Sequence, residues 1–293
     1  MAARIPDRQV PAIHHRRIGD ITVTAVSDGF LDGSMAVLQN ITQEEAGDML
    51  RAAFRPVPRR TSVNCFIIHS GGRTALVDTG CGNKMAATGG RLMENLAAAG
   101  IAPGDVDTVL LTHMHPDHSN GLSDDAGKAI FANAELVTHE AEARHWLDDA
   151  MMAKADETSR LRNFRHAREQ IAPYAKRHRT HAGGEVFPGV TAMPFPGHTP
   201  GHSGYLIASG GESLLIWGDI VHVPEVQVPR PEVTMAFDVD PAQAEATRRR
   251  VFDMVATDRL LVAGMHLHFP AYAHLVKRDG GFVLVPEAWK QGL

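Results

Sequence analysis

Apolar and polar positions alternate over Ile21-Thr-Val-Thr-Ala-Val, a period of two that predicts a half-buried strand. Asn64-Cys-Phe-Ile-Ile-His and Thr74-Ala-Leu-Val are two more strand runs, separated by Gly71-Gly72, and Asp78-Thr-Gly closes the second. Thr108-Val-Leu-Leu-Thr reads as a buried strand that stops at His113. Val190 to Phe195 alternates again, and Gly204–Ala208, Leu214–Trp217, Leu260-Leu-Val-Ala and Gly281-Phe-Val-Leu-Val complete the strand pattern. Helical periodicity fills the gaps. Thr42 to Arg51 starts with a capping Thr42 and has Glu45 three residues on. Residues 88–99 set Leu92, Leu96 and Ala99 on one stripe before Gly100. Residues 139–178 read as helices broken near Pro173, and 241–255 as a helix with Pro241 in its first turn after Asp240. Strands come first, then helices, then the same mixture, which means α+β or mixed α/β rather than strict βαβ alternation. Residues 1–18 are polar, with Pro6, Pro11 and His14-His15-Arg16-Arg17, and are expected to be a loose arm or an oligomer contact. No repeat or linker interrupts the remainder, so residues 19–293 are expected to form a single domain.

Composition narrows the function classes. Apolar residues make up 44% and charged residues 22%, as in soluble globular chains. The formal charge of −5 argues against a nucleic-acid or anionic-membrane binder. No run approaches the roughly 18 consecutive apolar residues of a membrane span. The first nine residues contain no apolar run of the secretory kind. Only Cys65 and Cys81 are present, too few for a disulfide framework. A cytoplasmic location is therefore expected. The outlier is histidine, at 17 residues.

Leu111-Thr-His-Met-His-Pro-Asp-His packs His113, His115, Asp117 and His118 into six positions directly after a strand. In an extended exit His113 and His115 point the same way, and a turn through Pro116 brings Asp117 and His118 back toward them. Buried, three imidazoles and a carboxylate need partners or a metal. Exposed, they have no reason to follow an apolar run. The motif divides into two pairs that would each begin a site. More ligands stand in equivalent places past apolar runs: His198 in Phe195-Pro-Gly-His, Asp219 in Leu215-Ile-Trp-Gly-Asp, and His266 in Val262-Ala-Gly-Met-His. Imidazole and carboxylate donors suit Zn, Mn, Fe or Co.

His113-x-His115-x-Asp117-His118, followed in order by His198, Asp219 and His266, resembles the metallo-β-lactamase fold superfamily from about residue 18 to 275. Gly19-Asp-Ile-x-Val-Thr-Ala-x-Ser-Asp-Gly, Ser62-Val-Asn, Leu76-Val-Asp-Thr-Gly, Gly197-His-Thr-Pro-Gly-His and His266-Leu-x-Phe-Pro look most like the branch of methyl parathion hydrolase-like enzymes and lactonases. The resemblance implies an α+β, four-layer αβ/βα sandwich. It implies one divalent ion, zinc first, on His113, His115 and His198, and a second on Asp117, His118 and His266, with Asp219 bridging. Asp78 resembles the aspartate that fixes a ligand imidazole in that family. Met85, Trp146 and Phe164 correspond to segments that line the substrate mouth in related enzymes, and Tyr272 is a further wall candidate. The resemblance is also compatible with a homodimer.

His202, His222, His268 and His274 stand close to these motifs and are left open between contact with the site and ordinary packing. His14, His15, His69, His139, His145, His166, His178 and His181 are read as surface residues, and Cys81 as a bystander. Two ions sharing Asp219 would hold a bridging hydroxide, with Asp117 orienting it, for attack on an ester-like bond. The expected function is hydrolysis of a small-molecule lactone or carboxylic ester. The alternative is an organophosphate triester hydrolase, against which the Cys81–Gly90 loop offers no aromatic clamp. A β-lactamase fits less well, because that type generally lacks an aspartate at the position of Asp219. A di-iron protein of this fold would carry Glu in place of His115. A non-catalytic metal-binding module fits poorly with seven intact ligand positions.

Overall fold

The computed structural model describes residues 9–278 and 280–293. The first half contributes strands β1 (Ile13–Ile18), β2 (Ile21–Gly33), β3 (Leu38–Gln39), β4 (Arg59–Ser70), β5 (Arg73–Val77), β6 (Thr108–Leu110), β7 (Glu135–His139) and β8 (His178–His181). The second half contributes β9 (Gly184–Phe187), β10 (Val190–Pro194), β11 (Ser203–Ser209), β12 (Glu212–Ile216), β13 (Thr234–Met235), β14 (Leu261–Ala263), β15 (Tyr272–Arg278) and β16 (Gly281–Pro286). They make two seven-stranded sheets, ordered β1-β2-β4-β5-β6-β7-β8 and β16-β15-β14-β12-β11-β10-β9, and a small β13-β3 pair. In the first sheet β5 to β8 run parallel; in the second only β12 and β14 do.

Strand parity decides the layers. Val23, Ala25, Phe66 and Ile68 face the second sheet and pack with Tyr205, Ile207, Leu214, Ile216 and Val262. The intervening Val26, Cys65 and Ile67 face outward, under Leu92, Leu96, Trp146, Phe164 and Ile171 of the outer helices. On the far face of the second sheet, Val251, Phe252 and Val255 of the helix Pro241–Thr257 complete the stack. The order is helices, sheet, sheet, helix, the four-layer α+β sandwich expected from the resemblance.

The caps follow the sequence. Thr42 Oγ1 accepts from the Glu45 N–H at 3.1 Å, and Asp240 Oδ1 from the Gln243 N–H at 2.9 Å. The N-terminal segment departs from expectation. Residues 1–8 lie outside the described residues, but Ile13–Ile18 is no arm: all six residues pair with β2. It is an edge strand, so its solvent face stays polar and its pattern looks like a loop. No helix of the described residues is long and apolar enough to cross a membrane.

Candidate metal centre

Every expected ligand lies just past the C-terminal end of a strand, and the two sheets bring these ends to one edge. Asp78 follows β5, His113 to His118 follow β6, His198 follows β10, Asp219 follows β12 and His266 follows β14. Pro116 opens the single turn Pro116–Ser119, which carries Asp117 and His118 back toward His113.

Three ring nitrogens form a triangle: His113 Nε2 to His115 Nδ1 is 3.1 Å, His115 Nδ1 to His198 Nε2 is 3.0 Å, and His198 Nε2 to His113 Nε2 is 3.2 Å. Beside it stands Asp219 Oδ2, with five imidazole nitrogens around it. They are His222 Nε2 at 3.1 Å, His118 Nε2 and His266 Nε2 at 3.2 Å, His198 Nε2 at 3.4 Å and His113 Nε2 at 3.6 Å. Asp117 Oδ2 lies 3.5 Å from His118 Nε2 and 3.6 Å from His266 Nε2. All of these groups are buried except Asp117, whose side chain is 20% exposed and marks the open side.

The outer nitrogens fix the tautomers. His118 Nδ1 faces Asp78 Oδ2 at 2.7 Å, His198 Nδ1 faces Asp238 Oδ1 at 2.7 Å, and His266 Nδ1 faces the Ser62 carbonyl at 2.8 Å. Each partner only accepts, so each Nδ1 carries the proton. Thr112 Oγ1 donates to Asp78 Oδ2 at 2.7 Å and so must accept from His113 Nδ1 at 3.0 Å. In the neutral rings, four inner nitrogens are therefore lone pairs aimed at a carboxylate oxygen, an arrangement that only a positive charge relieves. A tetrahedral ion with bonds of about 2.0–2.1 Å spaces its nitrogens by roughly 3.3 Å, close to the triangle described above. His115 Nε2, His118 Nε2 and Asp219 Oδ1 are buried without hydrogen-bond partners. The residues fit a pair of divalent cations.

Without a cation the cluster answers with protons. Burial pushes His113 and His115 well below the ordinary imidazole value. Burial also opposes charge on His198, but Asp219 and Asp238 outweigh it and raise the ring to about 9. Asp219 resists its own burial because His118, His266 and His113 hold its carboxyl well below the usual range.

The supports of the centre reach across the molecule. Asp78, at φ +57, is held in the left-handed region by accepting from Thr112 N, Thr112 Oγ1 and His118 Nδ1. His202 donates from Nδ1 to the Phe195 carbonyl, and its Nε2 accepts the Asp219 N–H at 2.8 Å, which aims the Asp219 turn. A Cβ on Gly218 would lie 2.3 Å from that Nε2, so the turn requires glycine. Asn64 Nδ2 of the first sheet donates to the carbonyls of Gly264, Met265 and Leu267, gripping the loop of His266.

Several candidates lie elsewhere than expected. Tyr272 is enclosed between the sheets, edge-on to Phe66 and bonded to the Val23 carbonyl, because β15 turns this position inward. Phe164 is 3% exposed and packs on Trp146 at 4.8 Å. Trp146, 1% exposed, lies against His115 at 5.5 Å and forms the floor of the centre rather than its mouth. Met85 is half-buried in the loop after Asp78. His181, read as a surface residue, is buried. Two groups gain weight. His222 has no hydrogen-bond partner on either nitrogen, stacks on His266 at 5.1 Å, and is set by Gln227 Oε1, which accepts the N–H groups of His222 and Val223. Its place three residues past Asp219 was the available signal. Phe237 is half-buried and edges His115, His198 and His222 at 6.3, 5.8 and 5.3 Å. Nothing local in the sequence marks it.

A family profile described as the metallo-beta-lactamase superfamily matches residues 58–266. A crystal structure of hydrolase AbOPH in the beta-lactamase superfamily superposes with a TM-score of 0.91 at 34% identity, covering 97% of this chain and all of that one. The dizinc quorum-quenching lactonase AidC, in complex with a product, superposes with a TM-score of 0.86 at 22% identity over 96% of this chain and 99% of that one. Among curated proteins, N-acyl homoserine lactonase AiiB of Agrobacterium fabrum (strain C58) is 30% identical over 27% of this chain and 33% of its own length. The uncharacterized protein YobT of Bacillus subtilis (strain 168) is 26% identical over 55% of this chain and 63% of its own. The chain thus spans less than two thirds of the curated relatives it matches.

Proposed function

The chain belongs to the metallo-beta-lactamase superfamily, and from that premise we propose that it is a binuclear metal-dependent hydrolase acting on a lactone or carboxylic ester of a small molecule. His113, His115 and His198 would hold one divalent ion, Asp117, His118 and His266 the other, and Asp219 both. The observation that carries this reading is the ring of inward lone pairs around Asp219 Oδ2, fixed by protons on the outer nitrogens. When bound, two such ions acidify water toward neutral pH and polarise a substrate oxygen. Asp117, on the open side, orients the attacking water by accepting its hydrogen bond. His222 offers a ring N–H to the carbonyl or departing oxygen, and Phe237 supplies an apolar wall above it. Zinc, a cytoplasmic location and a homodimer complete the proposal. Both cysteines are free and buried, and Val283 and Val285 on the edge strand β16 leave apolar surface open to a second copy.

Elemental analysis of chelator-free protein should find two ions per chain; saturation at one after incubation with Zn²⁺ would reject the binuclear reading. The substrate class is tested by comparing kcat/KM for a homoserine lactone, an aryl acetate, an aryl phosphotriester and a penicillin. The lactone or acetate should lead. A lead of more than about tenfold for the phosphotriester or penicillin, roughly 1.4 kcal/mol of transition-state discrimination, would overturn the ester reading and leave the metal reading standing.

A further inference from the structure

Glu142 lies in the helix Glu140–Trp146, is fully buried, and has no cationic partner within 4.0 Å among the described residues. Four donors surround its carboxylate. Oε1 accepts from Met114 N at 2.9 Å and Trp146 Nε1 at 2.5 Å; Oε2 accepts from Thr199 Oγ1 at 2.7 Å and Gly201 N at 2.9 Å. A protonated carboxyl would have to turn one of these donors away, so the geometry calls for the anion. Charge-assisted bonds of this kind offset much of the cost of burying it.

Three of these four donors belong to two loops, and Trp146 lies in Glu142's own helix. Met114 sits between His113 and His115, and its N–H donates to Glu142 Oε1. Thr199 and Gly201 follow His198. Two edges of the nitrogen triangle, His113–His198 and His115–His198, join these two loops. The loop approach is close enough that a Cβ on Gly201 would lie 2.2 Å from the Glu142 nitrogen. The other proposed position, with Asp117, His118 and His266, takes its support from Asp78, the Ser62 carbonyl and Asn64 instead. Resting on the binuclear reading, we propose that Glu142 is a positioning residue that sets the spacing of the three-imidazole half of the centre and leaves the carboxylate half untouched.

The substitution Glu142→Gln keeps the shape but turns an amide toward the Met114 and Trp146 donors or toward those of Thr199 and Gly201. Metal-free full-length protein is titrated with Zn²⁺ against a chromophoric chelator, and with Co²⁺ to follow its visible bands. Glu142→Gln should weaken one of the two binding steps by about 10–100-fold, the range for partners of ligating groups. The other step should stay within about threefold of wild type. Equal weakening of both steps, or none beside a lowered Tm of the metal-free protein, would show that Glu142 only holds the fold. If Glu142→Gln does not fold, Thr199→Val carries the test, since it removes a donor from the His198 loop alone. It should weaken the same single step, and two unchanged steps would overturn the proposal. Uptake of a single ion by wild-type protein would instead defeat the binuclear reading, while a Glu142→Gln defect in that one step would still uphold the positioning role.

Discussion

The two halves of the chain furnish the centre in opposite ways. In the first half, four candidate ligands occupy one strand exit and one helical turn, His113 to His118, above Asp78, which holds both the strand exit and His118, while Glu142 accepts from Met114 N between the first two. In the second half, His198, Asp219 and His266 come one at a time from the ends of β10, β12 and β14, each with its own support: Asp238, His202 and the Ser62 carbonyl. The first arrangement concentrates its dependence on two carboxylates, Asp78 and Glu142. The second spreads it, so damage to one support leaves the others in place. Asp219 is the exception in the dispersed half, because all the proposed chemistry meets at its Oδ2.

That exception sets the largest expected effect. Asp219→Ala should cut kcat/KM by at least about a hundredfold with cooperative unfolding retained, since β12 packs through Leu214, Leu215 and Ile216 without it. Near-wild-type turnover in the folded variant would show that the dispersed half has no hub. Next, Asp78→Asn should weaken metal binding toward the upper end of the range of about 10–100-fold, and Asp238→Asn toward its lower end. Asp78 serves Thr112 and His118 together, while Asp238 serves His198 and the Met235 N–H. Equal losses, measured by chelator competition, would break the contrast between the halves.

The protons of the metal-free cluster predict a pH dependence. His198 is raised to about 9 by Asp219 and Asp238 against its burial, so below pH 9 a cation must displace its proton. Apparent affinity should rise by about tenfold per pH unit for each proton released, and the part due to the His198 proton should flatten near pH 9. Calorimetry in buffers of different ionisation enthalpy counts the protons, and a flat profile from pH 6 to 9 would contradict the assignment. The smallest effect belongs to a histidine of the first half outside the centre. Burial depresses His181 from 6.5 to about 4. Between these values the unfolded chain binds the proton and the folded chain does not, so stability is lost as pH falls from 6.5 toward 4. His181→Asn keeps an acceptor for the Gly183 N–H and should recover on the order of 1–3 kcal/mol at pH 4, with little change at pH 7.5, by urea unfolding.

The same contrast governs what could be read from the sequence. The compact motif was legible because a period of two and one proline turn are local rules. The dispersed candidate ligands were legible as strand-end positions, and Asp78 by its place after β5. Their supports were not. Glu142 lies 57 residues from Thr199, and His198 lies 40 from Asp238, so no local pattern ties them together. Tyr272 was misplaced for a related reason: the direction of a side chain depends on strand register, here Ala263 opposite Tyr272, which pairing with a distant strand decides. β1 was missed because an edge strand need not be apolar on its open face.

Asn64 gives the centre a mechanical meaning. Its amide, on the first sheet, holds three carbonyls of the loop that carries His266 from the second. On the binuclear reading, a cation shared between His118 and His266 would add a further link to a seam that these bonds and the Tyr205 hydroxyl on the Leu111 carbonyl already bridge. Such an ion would bind the folded chain and have little to grip once the halves part, so its free concentration would become a stability variable. At a hundred times its dissociation constant it adds about 2.7 kcal/mol to the unfolding free energy. Chelation should then loosen the seam first, and amide exchange in the segment 264–267 should accelerate before that in the strands on either side.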